Sequence, residues 1–421
     1  MLTPQQNARL TQTDRGTPCG DLMRRYWQPV ALSREVLPFA PIPVRVMGEE
    51  LVLFRDDDGL TGLIGRVCPH RGVDLSFGRC EDGGLRCVYH GWLFARDGRC
   101  LEQPGESVTS SFKDRIRTTA YPCIEKNGLV LAYLGPGTPP AIPTLPFFQL
   151  PADRVWATRI LQECNYLQGL EGDVDPQHLS FLHRFLEISP DAVRDTTTFT
   201  AKDPAPDIVV EDTAFGFRLY AVRDAGSEQN YVRVSNFVMP NNSAFAAGPP
   251  VDPKVEKIDR STHYRMHWHV PADDRTHWKY ELAVRLDGPV DQSYMQRLFP
   301  HEPGDALERN LANRYLQDRN EQRTKTFTGI GSVFNDHDRL ATESMGPIYD
   351  RSREHLGGTD RGLTHLRRTL LTAIEDVAAG RKPLAVQRTA EPDIYDDLVV
   401  REQMVPCSSE VRAFWKAGAH A

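Results

Sequence analysis

Two short segments constrain this chain more than any other feature: Cys68-Pro69-His70 and Cys87-Val88-Tyr89-His90, separated by sixteen residues. Two thiolates and two imidazoles in a C-x-H … C-x2-H arrangement can hold a [2Fe–2S] cluster. Cys68 and Cys87 would then bind one iron, and His70 and His90 the other. Neutral imidazoles in place of two anionic thiolates lower the negative charge at the cluster and raise its reduction potential. Such a group relays electrons and makes no bonds to a substrate. The same four residue types also suit a structural tetrahedral zinc site.

The flanks separate the two readings. The segments continue as Cys68-Pro-His70-Arg71-Gly72 and Cys87-Val-Tyr-His90-Gly91-Trp92. In both loop sequences, and in the gap between them, they resemble the Rieske iron–sulfur domain, and that resemblance implies a cluster rather than zinc. The rest of the chain sets bounds. Its 421 residues allow two or three domains at about 150 residues each. A net charge of -7 without a basic run argues against a nucleic-acid partner. No apolar run reaches the length of a membrane span, and Gln5, Gln6, Asn7, Arg9 and Asp14 interrupt any signal-peptide pattern. No membrane partner and a cytoplasmic location are therefore expected. Cys19, Cys80, Cys100, Cys123, Cys164 and Cys407 form no disulfide-like framework and are expected to be free thiols.

Patterning divides the chain. The first 42 residues open with polar, helix-like sequence and end in the bend Pro38–Pro43. Short strand patterns come next, at Val44–Met47, Glu50–Arg55, Gly62–Gly65, Cys87–Tyr89 and Gly128–Leu134. Turn signals at Asp56-Asp-Asp-Gly59, Asp97-Gly98 and Asn127-Gly128 separate them. This is a small all-β unit whose loops present the cluster ligands. Gly135-Pro-Gly-Thr-Pro-Pro-Ala-Ile-Pro143 reads as a semi-rigid linker. Beyond it, His263, Arg265, His267 and His269 alternate with Tyr264, Met266 and Trp268, so the basic set shares one face of a strand that lines or borders a pocket. Leu363 to Ala379 has the period of an amphipathic helix, read as core packing.

A second constellation bears on function: Asp175-Pro-Gln-His178-Leu-Ser-Phe-Leu-His183. Five residues turn an ideal helix by roughly 140°, so the two imidazoles converge only near a helix end or a bulge. Two histidines and a distant carboxylate make the facial triad of non-haem Fe(II) oxygenases, with positions left open for O2 and water. Here the chain resembles the large (alpha) subunit of the Rieske non-haem iron ring-hydroxylating oxygenases, phthalate dioxygenase-like members above all. The likeness runs nearly end to end. It includes Gly16-Thr-Pro … Leu22-Met-Arg-Arg-Tyr-Trp27, Asn165-Tyr-Leu-Gln-Gly-Leu-Glu-Gly-Asp173, Glu343-Ser-Met-Gly-Pro-Ile-Tyr-Asp-Arg351 and Glu354-His-Leu-Gly357.

The resemblance implies roles. His178 and His183 become iron ligands, and Asp175 becomes the bridge that links an iron histidine to a cluster histidine of the neighbouring subunit. An aspartate five residues before Glu343 supplies the third ligand, which selects Asp338; Asp336 is the competitor and His337 lies between them. The implied fold class is α+β. Residues 1–42 form a helical segment packing on the catalytic domain, 43–137 the all-β Rieske domain, and 138–421 a mononuclear-iron domain with an antiparallel sheet and helices. The implied cofactors are a [2Fe–2S] cluster and a mononuclear Fe(II). The chain carries no nucleotide-binding glycine fingerprint and no plant-type ferredoxin spacing, so flavin and NADH belong to a separate reductase. The implied assembly is a trimer or a pair of trimers. The implied reaction is hydroxylation of an aromatic carboxylate by O2, as cis-dihydroxylation, with monooxygenation or O-demethylation as the alternative and a plain electron carrier as a third reading. A buried substrate carboxylate needs a cationic partner, and Arg218, Arg223, Arg233 and Arg265 are the candidates. Asp173 and Glu171 either tune the bridge or are paired carboxylates.

Overall fold

The structure is a computed structural model that describes residues 1–186, 196–247, 263–304, 307–388 and 391–413. Its cluster-bearing unit is built from two four-stranded antiparallel sheets. One runs Ile42–Val46, Glu49–Arg55, Thr61–Gly65, Ala120–Tyr121, and the other Arg79–Glu81, Gly84–Arg86, Leu93–Ala95, Cys100–Glu102. The strand Glu49–Arg55 shows why the unit sits where it does. Successive side chains of a strand point to opposite faces. Val52 and Phe54 pack with Ile64, Leu85, Phe94 and the cluster cysteines, while Leu51 and Leu53 join the larger core of the molecule. One strand therefore belongs to two cores.

Two expectations need correction. Cys87–Tyr89 is not a strand; the chain turns there, because the Gly91 N–H bonds back to the Cys87 carbonyl at 3.0 Å, and the strands Gly84–Arg86 and Leu93–Ala95 flank it. The helical reading of the first 42 residues holds for Pro4–Thr11 and Pro18–Met23. Trp27–Leu32 is instead a fully buried strand, paired antiparallel with Leu129–Tyr133 in a three-stranded sheet.

The larger unit rests on an eight-stranded antiparallel sheet. Its order is Val155–Gln162, His277–Arg285, His263–Pro271, Asn242–Ala246, Gln229–Val238, Gly216–Gly226, Asp207–Thr213. The long strand Gln229–Val238 shares one edge between two partners. Residues 235–238 pair with Asn242–Ala246, and residues 229–234 with Arg401–Pro406. Three of its helices matter most for the site. Tyr166–Asp173 starts at Asn165, whose side-chain oxygen accepts from the Leu167 N–H at 3.1 Å, and is buried along most of its length. Phe334–Ser344 packs against it. Arg361–Ala378 buries Leu366, Leu370, Ala373 and Ile374, the i, i+4, i+7, i+8 stripe of an amphipathic helix, and packs on both N-terminal helices. Among the described residues no helix is long and apolar enough to cross a membrane.

Candidate active site

The two cluster loops are built alike. In each, a glycine four residues after the cysteine returns its N–H to the cysteine carbonyl: Gly72 to Cys68 at 2.9 Å and Gly91 to Cys87 at 3.0 Å. Both glycines hold positive φ, 80° and 75°, which a side chain would resist. The loops bury sulfur and expose nitrogen. Cys68 and Cys87 are 2% and 3% exposed and lie within hydrogen-bonding reach of each other, and burial pushes the Cys68 thiol up to about 11. The His70 and His90 rings meet edge-on at 4.4 Å near the surface, with His70 stacked on Trp92. Two pairs of donors fit two irons. A single zinc at about 2.0–2.3 Å from every ligand would draw all four donor atoms close together. Among the described residues, the groups of three or more possible ligands within 4.8 Å of one another are His178–His183–Asp338 and Asp173–His267–His269, and the cluster residues form none. The other cysteines are unbridged, including Cys80 and Cys100.

His178 opens a single 3-10 turn, His178–Ser180, and the backbone leaves helical geometry at Phe181. That break brings the His178 and His183 rings to 5.1 Å, as the five-residue spacing requires. Asp338, on the helix Phe334–Ser344, reaches them with Oδ1 3.0 Å from His183 Nε2. Burial alone would raise the Asp338 carboxyl, but His183 and Lys279 hold it well below the ordinary carboxylate range. Burial also pushes His183 down to about 4, so its imidazole is neutral and free to bind a metal.

Hydrogen bonds set the direction of both rings. His178 Nδ1 bonds the Asp175 carbonyl, which leaves Nε2 facing the site. His183 Nδ1 lies 3.3 Å from His337 Nδ1, and His337 Nε2 lies 2.9 Å from the Gly331 carbonyl. A carbonyl only accepts, so His337 donates from Nε2 and accepts at Nδ1. His183 must then donate from Nδ1, which leaves its Nε2 lone pair and the Asp338 oxygen, 3.0 Å apart, as two acceptors that a bound cation would share. His337 is fully buried and no surface group. Asp336 points elsewhere, with Oδ1 3.5 Å from Arg339. The Asp175 carboxylate accepts from the Gln177 N–H at 2.8 Å and lies 3.9 Å from His178 Nδ1, partly exposed.

These residues open onto a cavity of about 870 Å³. Of the four candidate arginines, Arg233 and Arg265 line it. Arg218 instead bonds Glu211 and the Asp397 carbonyl. Arg223 braces the histidine turn through the Pro176 carbonyl at 2.8 Å and Ser180 Oγ at 3.3 Å. Arg265 is 9% exposed, packs over the Phe299 ring, and its Nη1 has no hydrogen-bond partner. Among the described residues no carboxylate lies within ion-pairing distance of it. Glu171 and Asp173 are both paired: Glu171 with Arg351 and Arg367, Asp173 with His267 and His269. The sequence reading missed Lys279 and Glu281, a buried pair at 3.0 Å in the cavity wall. Lys279 also touches Asn335 and Asp338. The alternation of His277, Lys279 and Glu281 with Trp278, Tyr280 and Leu282 carries the same strand signal as His263–His269 and could have found them.

Comparison with known proteins agrees with this geometry. The Rieske [2Fe-2S] domain family matches residues 26–113, and the LigXa C-terminal domain like family matches residues 132–419. The chain is 36% identical to the phthalate 4,5-dioxygenase oxygenase subunit of Pseudomonas putida, over 93% of this chain and 90% of that one. It is 34% identical to the 3-chlorobenzoate-3,4-dioxygenase oxygenase subunit of Comamonas testosteroni, over 89% of each chain. It is 32% identical to the 5,5'-dehydrodivanillate O-demethylase oxygenase subunit of a Sphingobium species, over 92% of this chain and 84% of that one. Among solved structures, dicamba monooxygenase shares the fold with a TM-score of 0.61 at 19% identity, over 85% of this chain and 99% of that one. Loops that pair sulfur inside and imidazole outside, and likeness carried across both halves of the chain, lead to one conclusion: this protein belongs to the oxygenase subunits of the Rieske non-haem iron oxygenases, oxidoreductases that work with a [2Fe–2S] cluster and a mononuclear iron.

Proposed function

We propose that the chain is the terminal oxygenase that hydroxylates an aromatic carboxylate with O2 and NADH-derived electrons from a separate flavin and iron–sulfur reductase. The observation that carries the substrate class is Arg265, a buried guanidinium whose Nη1 has no hydrogen-bond partner, in the same cavity as the His178–His183–Asp338 group. A carboxylate there would satisfy Nη1 and offset the cost of burying both charges. Phe245, which the Arg233 guanidinium covers at 5.2 Å, and Phe299 offer ring faces beside it. Cys68, Cys87, His70 and His90 would hold the cluster, and His178, His183 and Asp338 the iron, with Asp175 as the electron-transfer bridge between subunits. A 2-His-1-carboxylate iron supplies O2 activation when bound. The residues around it orient the two imidazoles, anchor the carboxylate and line the cavity that would receive the ring. A cytoplasmic trimer or hexamer is the assembly that suits this reading.

Monooxygenation or O-demethylation of an aromatic acid is the second reading, favoured by the identity to an O-demethylase subunit over most of both chains. Oxygen uptake with benzoate, phthalate and methoxybenzoate panels decides between them: a cis-diol supports the first and formaldehyde the second. The protein as purified should hold about three irons and two sulfides per chain. Arg265→Ala should raise KM by at least about tenfold for the carboxylated ring and leave iron content unchanged. Uptake independent of every aromatic acid would remove the substrate class.

A further inference from the structure

Asp173, His267, His269 and His277 form a buried array that neither iron group uses. Asp173 ends the helix Tyr166–Asp173, and the three histidines come from the neighbouring strands His263–Pro271 and His277–Arg285. Gly169 lets the helix lie directly on them. A Cβ there would fall 2.5 Å from His269 Nδ1 and 2.8 Å from His277 Nε2. Ser243 Oγ donates to Asp173 Oδ2 at 2.6 Å.

Counting donors along the array gives an odd result. His277 Nδ1 lies 2.7 Å from the Cys164 carbonyl, so it must donate there. Burial holds the His277 imidazolium well below its ordinary range, so the ring is neutral and its Nε2 can only accept. His269 Nδ1, 3.0 Å from that nitrogen, is then the donor. A neutral His269 would be left with a lone pair on Nε2, facing the Asp173 carboxylate at 2.8 Å. Two acceptors cannot share that contact. One more positive charge has to sit between them.

Burial works against an imidazolium at His269 and the Asp173 carboxylate works for it; the geometry favours a proton. Each Asp173 oxygen faces its own ring, Oδ1 to His267 at 2.9 Å and Oδ2 to His269 at 2.8 Å, and the two rings lie 6.3 Å apart. That is the spacing of a carboxylate receiving two hydrogen bonds. A proton also removes the net negative charge that would otherwise be buried there. The other cation acting on Asp173 is Lys279, which interacts more strongly with two other carboxylates. Lys279 is committed to Glu281 at 3.0 Å and Asp338 at 3.5 Å, and Glu171 on the same helix is turned towards Arg351 and Arg367.

We infer that the cavity wall stores one proton, shared between Asp173 and His269, and that Asp173 releases it into the cavity. Asp173, His267, His269 and Glu281 all line the cavity. His267 donates from Nδ1 to Asp173 Oδ1, which makes its Nε2, 4.0 Å from Glu281 Oε1, an acceptor with no proton to pass on. In the step, the shared proton leaves through Asp173 to a water in the cavity. No bond between heavy atoms changes, and one proton taken up from solvent restores the pair. The inference rests on the oxygenase reading for its use, because hydroxylation with O2 and external electrons consumes protons in this cavity.

Asp173→Asn is the test, because an amide fills the array without the proton. Its NH2, in the place of Oδ2, donates to His269 Nε2 and to Ser243 Oγ, and its oxygen accepts from His267. In the full chain with the mononuclear site cleared by chelation, ¹⁵N-histidine NMR should show a proton between His269 Nε2 and Asp173 that Asp173→Asn removes. With the aromatic acid that supports oxygen uptake, Asp173→Asn should lower kcat roughly tenfold or more. It should also enlarge the solvent isotope effect and shift the pH profile, with KM and both iron contents unchanged. A bare His269 Nε2 beside an ionised Asp173 would overturn the proposal. So would wild-type kcat and pH profile in Asp173→Asn, or a second zinc ion per chain, on titration, that this variant no longer binds. Should no aromatic acid support uptake, the substrate reading fails while the NMR result still decides the proton.

Discussion

Asp336 and Asp338 stand two residues apart on one helix, and an offset of about 200° sends them to different neighbours. Asp338 meets His183, and Asp336 meets Arg339. An Asp338→Ala protein should therefore fall from about three irons per chain to about two, with sulfide unchanged, while Asp336→Ala keeps all three. Metal analysis showing the opposite pattern would move the ligand. His337 acts one step further out. His337→Leu removes the acceptor that fixes His183, and should weaken iron binding about 10–100-fold in a chelator competition. His337→Gln can still accept from His183 and donate to the Gly331 carbonyl, so it should restore most of that affinity. The cysteine–histidine loops and the paired histidines could be picked out in the sequence because each set is close in sequence, and the structure brings each set together. The arginine could not. Arg218 and Arg223 are occupied by the Asp397 and Pro176 carbonyls, partners contributed by distant segments that no local pattern reveals.

Elements show the same division between local and distant information. The stripe of Arg361–Ala378 and the strand alternation of His263–Pro271 are local, and both were readable. Cys87–Tyr89 has the β-favouring residues of a strand, but the same residues suit a turn once Gly91 closes it. Gly169 carries a meaning that only packing exposes. Within a helix, glycine to alanine should gain up to about 1 kcal/mol from propensity. Here the added methyl would strike two ring nitrogens whose positions are fixed by further hydrogen bonds, an overpacking cost of about 1–3 kcal/mol. Gly169→Ala should therefore lower Tm, a sign opposite to the propensity rule. A raised Tm would show that the histidine array yields, and that it is less fixed than its bonding implies.

At the scale of the whole molecule, the Cys87–His90 loop faces outward. His90 is exposed, and Val88 and Tyr89 in the same loop are more than half exposed, which makes an apolar rim. Such a rim suits burial against another surface. The iron group instead opens into a cavity walled by its own domain, with the partly exposed Asp175 beside it. If electrons cross from one chain's cluster to the next chain's iron, two differently broken subunits should repair each other. Cys87→Ser removes a cluster ligand and Asp338→Ala an iron ligand, and each protein alone should be inactive. Co-expressed and purified as mixed oligomers, they should regain oxygen uptake, because some neighbouring pairs unite an intact cluster with an intact iron site. Activity should vanish again when Asp175→Asn is placed in the chain that keeps its iron. Mixed oligomers that stay inactive, although both chains are shown to be present, would place the electron route within a single chain and leave Asp175 without a bridging role.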